Sequence, residues 1–236
     1  MDTWRGQEFR EGQRRLTAPR LALLPSPLLG PRVWAAVAAR LRDAGRDVVT
    51  PSARGASPGE VLAALLDGLP ADRELVLVPH SNAGLYAPAV AAARPVAGCV
   101  FVDAALPADA GSTATAPPAL VETLRSLAGA DGLLPAWTHW WPEADTAALF
   151  PSAQVRTEVE AEQTRLPLSY FGARVPTPPW ADLDCAYLAF GPSYGVEEAR
   201  ARAAGWPVAV LDGRHLHMLV DPDTVSETIL ALEPTG

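Results

Sequence analysis

The stretch VLVPHSNAGLYAP, residues 76–88, decides the fold. Its first residues continue the apolar run ELVLVP (74–79), which predicts a buried strand. Residues 83–94 predict a helix, and only the three polar residues HSN separate the two elements. A strand that is apolar throughout is typical of a parallel sheet covered by helices on both faces. The stretch therefore indicates a strand–turn–helix unit of an α/β protein.

Predicted strands and helices alternate on both sides of this unit. The other strands are predicted at residues 21–25, 46–51, 98–103, 185–190 and 207–212. The other helices are predicted at residues 31–45, 57–70, 195–204 and 221–232. Alternation at this spacing implies right-handed crossovers, and these build a doubly wound, mostly parallel sheet with helices on both faces. The predicted fold class is α/β.

Residues 105–180 interrupt the alternation. They contain 10 of the 24 prolines and four of the seven tryptophans, with helical patterns but no strand pattern. We expect this insertion to form a helical cap over the carboxyl ends of the strands, where open α/β sheets bind ligands. The predicted organisation is a flexible tail at 1–18, a core of 19–104 and 181–236, and the cap.

The composition argues against several classes of partner. A chain of 236 residues with 49% hydrophobic content is long enough to bury one core. Its net charge of −8 repels nucleic-acid phosphates and anionic membranes, so we expect neither a nucleic acid nor a membrane as a partner. We leave a homodimer open. The chain has no run of 18 apolar residues and no secretory h-region, which predicts a cytoplasmic protein.

The two cysteines predict neither a disulfide nor a metal site. Cys99 and Cys185 lie in the short apolar runs GCVFV and CAYLAF, which is typical of small core residues in strands. The chain has four histidines and no Cys–His spacing that suits zinc, so we predict no metal.

Ser81 occupies the turn of the deciding stretch. In a nucleophile elbow, a serine sits on a strained strand-to-helix turn that raises its hydroxyl above the sheet. The positions two before and two after that serine must be small, and here they hold Pro79 and Ala83. The N–H of Asn82 would then begin the new helix and face a developing oxyanion. The setting favours an elbow over a serine that only caps the helix.

A loop with two histidines follows the last predicted strand. The segment DGRHLHMLVDPDTV (212–225) places His215 and His217 before the final helix. This loop leaves the same edge of the sheet as Ser81, because parallel strands all end at that edge. On the residues alone, both histidines are candidates for a general base.

With these motifs the chain resembles the α/β-hydrolase family over about residues 20–232. The resemblance rests on PHSNAG (79–84), FVDAALP (101–107) and GRHLHMLVDP (213–222). In similar sequences the base follows the pair of small or charged residues after the strand, which implies His215 and leaves His217 as a packing residue. The resemblance also implies a cofactor-free enzyme with Ser81 as its nucleophile.

The carboxylate that would orient His215 departs from the usual family pattern. Family members usually carry it after the strand before the histidine strand, but that loop reads GPSYG (191–195) and has no carboxylate until Glu197, which we expect to be solvated. A minority use the strand after the nucleophile helix, and there Asp103 ends GCVFVD. A buried unpaired charge is costly, so Asp103 needs a partner. The resemblance assigns it to the triad, with capping of backbone N–H groups as the alternative.

The second oxyanion donor also departs from the family pattern. The family commonly has a His-Gly pair after the first strand, and the next residue donates its N–H, whereas this chain reads PSPLLG (25–30). The donor position falls on Pro27, which has no N–H. Leu28 supplies the donor only if the loop is shifted by one residue. Without it, losing one donor costs about 3 kcal/mol of transition-state stabilisation.

The insertion is rich in aromatic residues that could wall an apolar pocket. They are Trp137, Trp140, Trp141, Tyr170, Phe171 and Trp180. The resemblance therefore implies a serine hydrolase of a carboxylic ester, thioester or lactone with a sizeable apolar part. Two alternatives stay open. One is a cyclase, lyase or decarboxylase-like enzyme of the same fold, which Pro27, Pro79 and the missing late carboxylate suggest. The other is a non-catalytic ligand-binding protein.

Overall fold

Six parallel strands form a central sheet in the computed structural model, which describes residues 18–234. The described strands are β1 (Arg20–Leu24), β2 (Val48–Val49), β3 (Leu75–Ser81), β4 (Val96–Ala104), β5 (Gly111–Ala114), β6 (Arg174–Thr177), β7 (Cys185–Phe190) and β8 (Val208–Leu211). The order across the central sheet is β2–β1–β3–β4–β7–β8, with every neighbouring pair parallel. The predicted α/β fold class is confirmed.

Helices cover both faces of this sheet. The described α-helices are α1 (Ala35–Asp43), α2 (Pro58–Asp67), α3 (Ala87–Ala93), α4 (Pro118–Arg125), α5 (Glu143–Ala147), α6 (Ala153–Glu160), α7 (Leu168–Phe171), α8 (Gly195–Ala203), α9 (His217–Val220) and α10 (Pro222–Leu232). Short 3-10 helices cover Pro31–Trp34, Asn82–Tyr86 and Trp137–His139. In the sheet, β2 lies on one side of β1 and β3 lies on the other. The connection from β1 to β2 and the connection from β2 to β3 therefore run in opposite directions across the sheet. Right-handed crossovers therefore place α1 and α2 on opposite faces. None of the described helices is long and apolar enough to cross a membrane.

The centre of the sheet is the best-buried part of the protein. Every residue of β3 is buried, as its apolar residues 75–79 predict for a strand between two helical layers. By contrast, β8 lies at the edge of the sheet and is only partly covered, and Val210 on it is 48% exposed. The strand that ends at Ser81 is thus held by the core, while the edge strand β8 is more open.

The insertion contains strands that the sequence pattern does not predict. β5 and β6 pair antiparallel near its two ends and form a separate two-stranded sheet. Their sequences, GSTA and RVPT, lack an apolar face of the usual length, so the expectation of no strand between 105 and 180 is wrong. These strands form because they pair with each other across a long stretch of sequence. A 2.7 Å hydrogen bond between the hydroxyls of Thr113 and Thr177 also joins them. The predicted tail, residues 1–18, lies outside the described residues except for Ala18.

Candidate active site

Ser81 forms a strained turn at the end of β3. Its backbone has φ 58° and ψ −130°, a conformation that costs a non-glycine residue about 1–3 kcal/mol and persists only where the surroundings impose it. Here the Ala105 N–H donates to the Ser81 carbonyl oxygen at 3.0 Å. A Cβ at Gly84 would overlap the Ala105 carbonyl oxygen, so only glycine lets the new 3-10 helix pass that close to the end of β4.

Asp103 is the other strained residue at this edge. It has φ 41°, and it and Ser81 are the only non-glycine residues within 18–234 with a positive φ. The side chain is fully buried, and Oδ1 accepts the N–H of Phe190 at 3.0 Å. Oδ2 lies 2.6 Å from Nδ1 of His215. Both carboxylate oxygens are therefore satisfied, as a buried carboxylate requires.

His215 links this carboxylate to the serine. It follows β8, and its Nε2 lies 3.1 Å from the Ser81 Oγ. When Nδ1–H donates to Asp103, Nε2 is free to accept the serine proton. The structure thus brings the three residues assigned from the sequence into one hydrogen-bonded chain. His217 packs edge-on against Phe190 with ring centroids 5.5 Å apart.

A second histidine, His80, packs against His215. The His80 ring stacks on the His215 ring at 4.5 Å, and its Nε2–H donates to the His215 carbonyl oxygen at 2.9 Å. Complete burial lowers the pKa of His80 well below its ordinary value, and the neighbouring His215 lowers it further. His80 is therefore neutral and acts as a fixed donor that holds the His215 loop. This role was not predicted from the sequence, although His80 directly precedes Ser81.

The side chain of Asn82 is anchored to the insertion. Its Nδ2 donates to the Thr115 carbonyl oxygen at 2.8 Å, and its Oδ1 accepts from the Tyr170 hydroxyl at 2.5 Å. The Tyr170 hydroxyl also lies 2.8 Å from the Tyr86 hydroxyl. Asn82 begins the 3-10 helix, so its backbone N–H has no acceptor within that helix. This N–H is free to bind an oxyanion beside Ser81.

The loop after β1 forms a tight turn on the other side of Ser81. The Leu29 N–H donates to the Ser26 carbonyl oxygen at 3.0 Å, with Pro27 at the second position, where its fixed φ suits a turn. The Leu28 N–H has only a long contact of 3.4 Å with the Ser26 Oγ. Leu28 lines the same cavity as Ser81, so its N–H is the candidate second donor in this loop.

A cavity of about 870 Å³ opens above the serine, and the insertion forms much of its wall. Trp137, Trp140, Trp141 and Phe171 all line it. The Trp137 ring lies 5.9 Å from the His215 ring, whereas Trp141 is 44% exposed at the surface. The other two aromatic candidates lie elsewhere, because Tyr170 binds Asn82 and Trp180 packs against Phe101.

The loop after β7 contributes a polar corner that the sequence analysis did not identify. The Tyr194 hydroxyl lies 3.3 Å from the Ser81 Oγ. Glu197, which we expected to be solvated, is half-buried in the wall of the cavity, and burial raises its pKa. The sequence does contain a signal for this corner, because Tyr194 lies in the loop where the family usually carries its acid.

Known proteins provide an independent comparison for this architecture. No family model and no curated protein sequence matches the chain. A solved extracellular α/β-hydrolase from a Paenibacillus species matches with a TM-score of 0.71 at 18% identity, over 92% of this chain and 99% of that chain. The chain has the α/β-hydrolase fold. The resemblance inferred from its motifs is confirmed at the level of the fold.

Two further solved structures share this α/β-hydrolase fold. A variant of tomato methylketone synthase I complexed with β-ketoheptanoate matches with a TM-score of 0.66 at 14% identity, over 91% of this chain and 96% of that chain. An Arabidopsis methylesterase matches with a TM-score of 0.63 at 14% identity, over 91% of this chain and 98% of that chain. At such identities the likeness concerns the fold, and the chemistry must be argued from the site.

Proposed function

We propose that the protein is a cofactor-free serine hydrolase that cleaves a carboxylic ester, thioester or lactone with a sizeable apolar part. One observation carries the proposal: an unbroken hydrogen-bonded chain runs from the Ser81 Oγ through His215 to Asp103, at 3.1 and 2.6 Å. A serine, a base and a buried orienting carboxylate in this order are the parts of covalent acyl transfer.

In the first half of the proposed reaction, the Ser81 Oγ attacks the substrate carbonyl carbon while His215 Nε2 takes the serine proton. The imidazolium that forms is stabilised by Asp103, and the carbonyl oxygen becomes an oxyanion that accepts the Asn82 N–H and the Leu28 N–H. The leaving group then departs with the proton from His215. In the second half, water attacks the acyl-enzyme by the same route and restores the serine.

The walls of the cavity suggest the type of substrate. Tryptophan and phenylalanine side chains of the insertion face the space above Ser81, and about 870 Å³ is within the range of small-molecule pockets. An apolar acyl or alcohol part would bury its surface there, at about 25 cal/mol for each Å² removed from water.

A serine-directed fluorophosphonate tests the proposal. We expect wild-type protein to gain the mass of one phosphonyl group and Ser81→Ala to gain none. Ser193→Ala is the matched control, because Ser193 lines the same cavity but is not bonded to His215. It should be labelled like wild type. Equal labelling of wild type and Ser81→Ala, or labelling of neither, would remove the proposed nucleophile.

A second candidate is a proton-transfer enzyme of the same fold, such as a lyase or a decarboxylase-like enzyme. The observation that favours it is Pro27, which leaves the expected donor position without an N–H and the oxyanion hole dependent on Leu28. Mass spectrometry of the protein during turnover separates the two candidates. A hydrolase gives an acyl adduct on Ser81 with ester substrates, whereas a proton-transfer enzyme releases product without an adduct.

A further inference from the structure

The Tyr194 hydroxyl is the second polar group in contact with the nucleophile. It lies 3.3 Å from the Ser81 Oγ, and the Tyr194 ring lies 5.5 Å from the ring of His215. Tyr194 also lines the cavity, so a bound substrate would meet it. Burial raises the pKa of its phenol, which therefore keeps its proton and can donate a hydrogen bond.

The position of Tyr194 is fixed by the contact between two loops. A Cβ at Gly191 would lie 2.6 Å from the Gly213 carbonyl oxygen, so the loop after β7 touches the loop that carries His215. The Gly191 N–H donates to the Leu211 carbonyl oxygen at 3.3 Å, and the Gly195 N–H closes a turn onto Pro192 at 3.2 Å. Tyr194 is thus held on a short turn against the loop of the base.

The sheet order determines which side of the serine this hydroxyl occupies. Leu28 follows β1, on one side of β3, while Tyr194 follows β7 and His215 follows β8, on the other side. The leaving-group oxygen must lie on the His215 side, because it takes its proton from His215 Nε2. Tyr194 is attached on that same side, next to the ring of His215, and its hydroxyl reaches the Ser81 Oγ from there.

We propose that Tyr194 is a further catalytic residue, whose hydroxyl donates a hydrogen bond to the leaving-group oxygen as the tetrahedral intermediate breaks down. This proposal rests on the proposed function. In that step the bond between the carbonyl carbon and the leaving oxygen breaks, and its electron pair goes to that oxygen. The oxygen takes the proton of the His215 imidazolium, and the Tyr194 O–H stays intact. The oxyanion reforms the carbonyl, and Ser81 keeps the acyl group.

The value of such a donor depends on the leaving group. A simple alkoxide is strongly basic and develops much negative charge before it is protonated, so a hydrogen bond to it lowers the barrier. A p-nitrophenolate spreads its charge over the ring and needs little help. The site would therefore be adapted to unactivated alkyl esters whose alcohol part fits the polar corner formed by Tyr194 and Glu197.

The test compares two esters of one acid, ethyl hexanoate and p-nitrophenyl hexanoate, using kcat/KM because this ratio reports acylation. In Tyr194→Phe, which keeps the ring, we expect kcat/KM for the ethyl ester to fall roughly tenfold, as for the loss of one hydrogen bond to a charged group. For the p-nitrophenyl ester we expect a change of less than about twofold. Tyr187→Phe is the control: it removes another buried hydroxyl, one bonded to the backbone of Ala104 and not to Ser81. It should leave the ratio between the two esters unchanged.

An equal fall for both esters would overturn the proposal, since it indicates a structural or oxyanion role. Unchanged kinetics for both would overturn it as well. These outcomes leave the proposed function standing, because fluorophosphonate labelling of wild type at Ser81 is independent of Tyr194→Phe. If wild type hydrolyses neither ester and is not labelled, the proposed function and this inference fall together.

Discussion

Asp103 reaches His215 across an intervening strand. Asp103 is the last residue but one of β4, His215 follows β8, and β7 lies between these two strands in the sheet. One carboxylate oxygen is 2.6 Å from the His215 Nδ1, and the other accepts the N–H of Phe190, the last residue of β7. The backbone of β7 therefore holds the carboxylate in the orientation that the histidine needs.

The first prediction concerns this carboxylate. Asp103→Asn should lower kcat by about a hundredfold or more with little change in KM, because the amide stabilises an imidazolium poorly and favours the wrong tautomer. Steady-state kinetics on one ester measures this. Glu197→Gln is the comparison, because Glu197 is the first carboxylate after β7 and lines the same cavity, and its effect should be much smaller. A fully active Asp103→Asn would contradict the assignment.

The second prediction concerns the anchoring of Asn82. Tyr170→Phe removes the 2.5 Å hydrogen bond to the Asn82 Oδ1, so the backbone N–H beside Ser81 loses part of its support. We expect kcat to fall roughly tenfold while KM stays nearly constant, because the oxyanion forms only in the transition state. Tyr86→Phe removes the hydroxyl at the far end of the same chain and should have the smaller effect. The reverse order of effects would refute this positioning role.

The third prediction is a pH dependence of stability from His80. Burial lowers its pKa in the folded state, so below the unfolded value of about 6.5 the unfolded chain binds the extra proton. The stability due to neutral His80 is present above that pH and is lost as the pH falls, by about 1.4 kcal/mol per pH unit. Between pH 7 and pH 5, the free energy of unfolding of wild type should therefore fall more than that of His80→Gln, as measured by denaturant unfolding. Parallel curves for the two proteins would show that folding does not lower the pKa of His80.

The fourth prediction separates two glycines. Gly84→Ala should destabilise the protein by more than about 3 kcal/mol, because the new methyl group overlaps the Ala105 carbonyl oxygen beneath the elbow. Gly59→Ala is the matched control in α2, where a Cβ meets nothing within 4 Å, and it should stabilise by about 0.5–1 kcal/mol. Thermal unfolding of both variants measures the difference. Similar midpoints would mean that the elbow can relax.

The parts predicted from the sequence are those that follow from strand order. Ser81, Asp103 and His215 each come at the end of an apolar run or a few residues after it, and parallel strands bring such ends to one edge. Tyr194 and His80 were missed as functional residues because their roles depend on contacts between loops that are distant in sequence. β5 and β6 were missed for the same reason, since four-residue strands without an apolar face are set by pairing and not by pattern.

The strained backbone of Ser81 and Asp103 lowers the stability of the protein at the positions that the proposed reaction needs. Ser81 and Asp103 together store about 2–6 kcal/mol of backbone strain, against a net stability of about 5–15 kcal/mol for a typical domain. A glycine at either position relaxes the backbone and removes a group that the proposed reaction needs. A screen of random variants for survival on heating alone should therefore enrich Ser81→Gly, whereas Asp103→Gly should gain less because the Phe190 N–H and the His215 Nδ1 lose their buried acceptor. Selection for activity removes such stabilising substitutions. The burial of β3 and β4 must therefore offset the free-energy cost of the strained backbone.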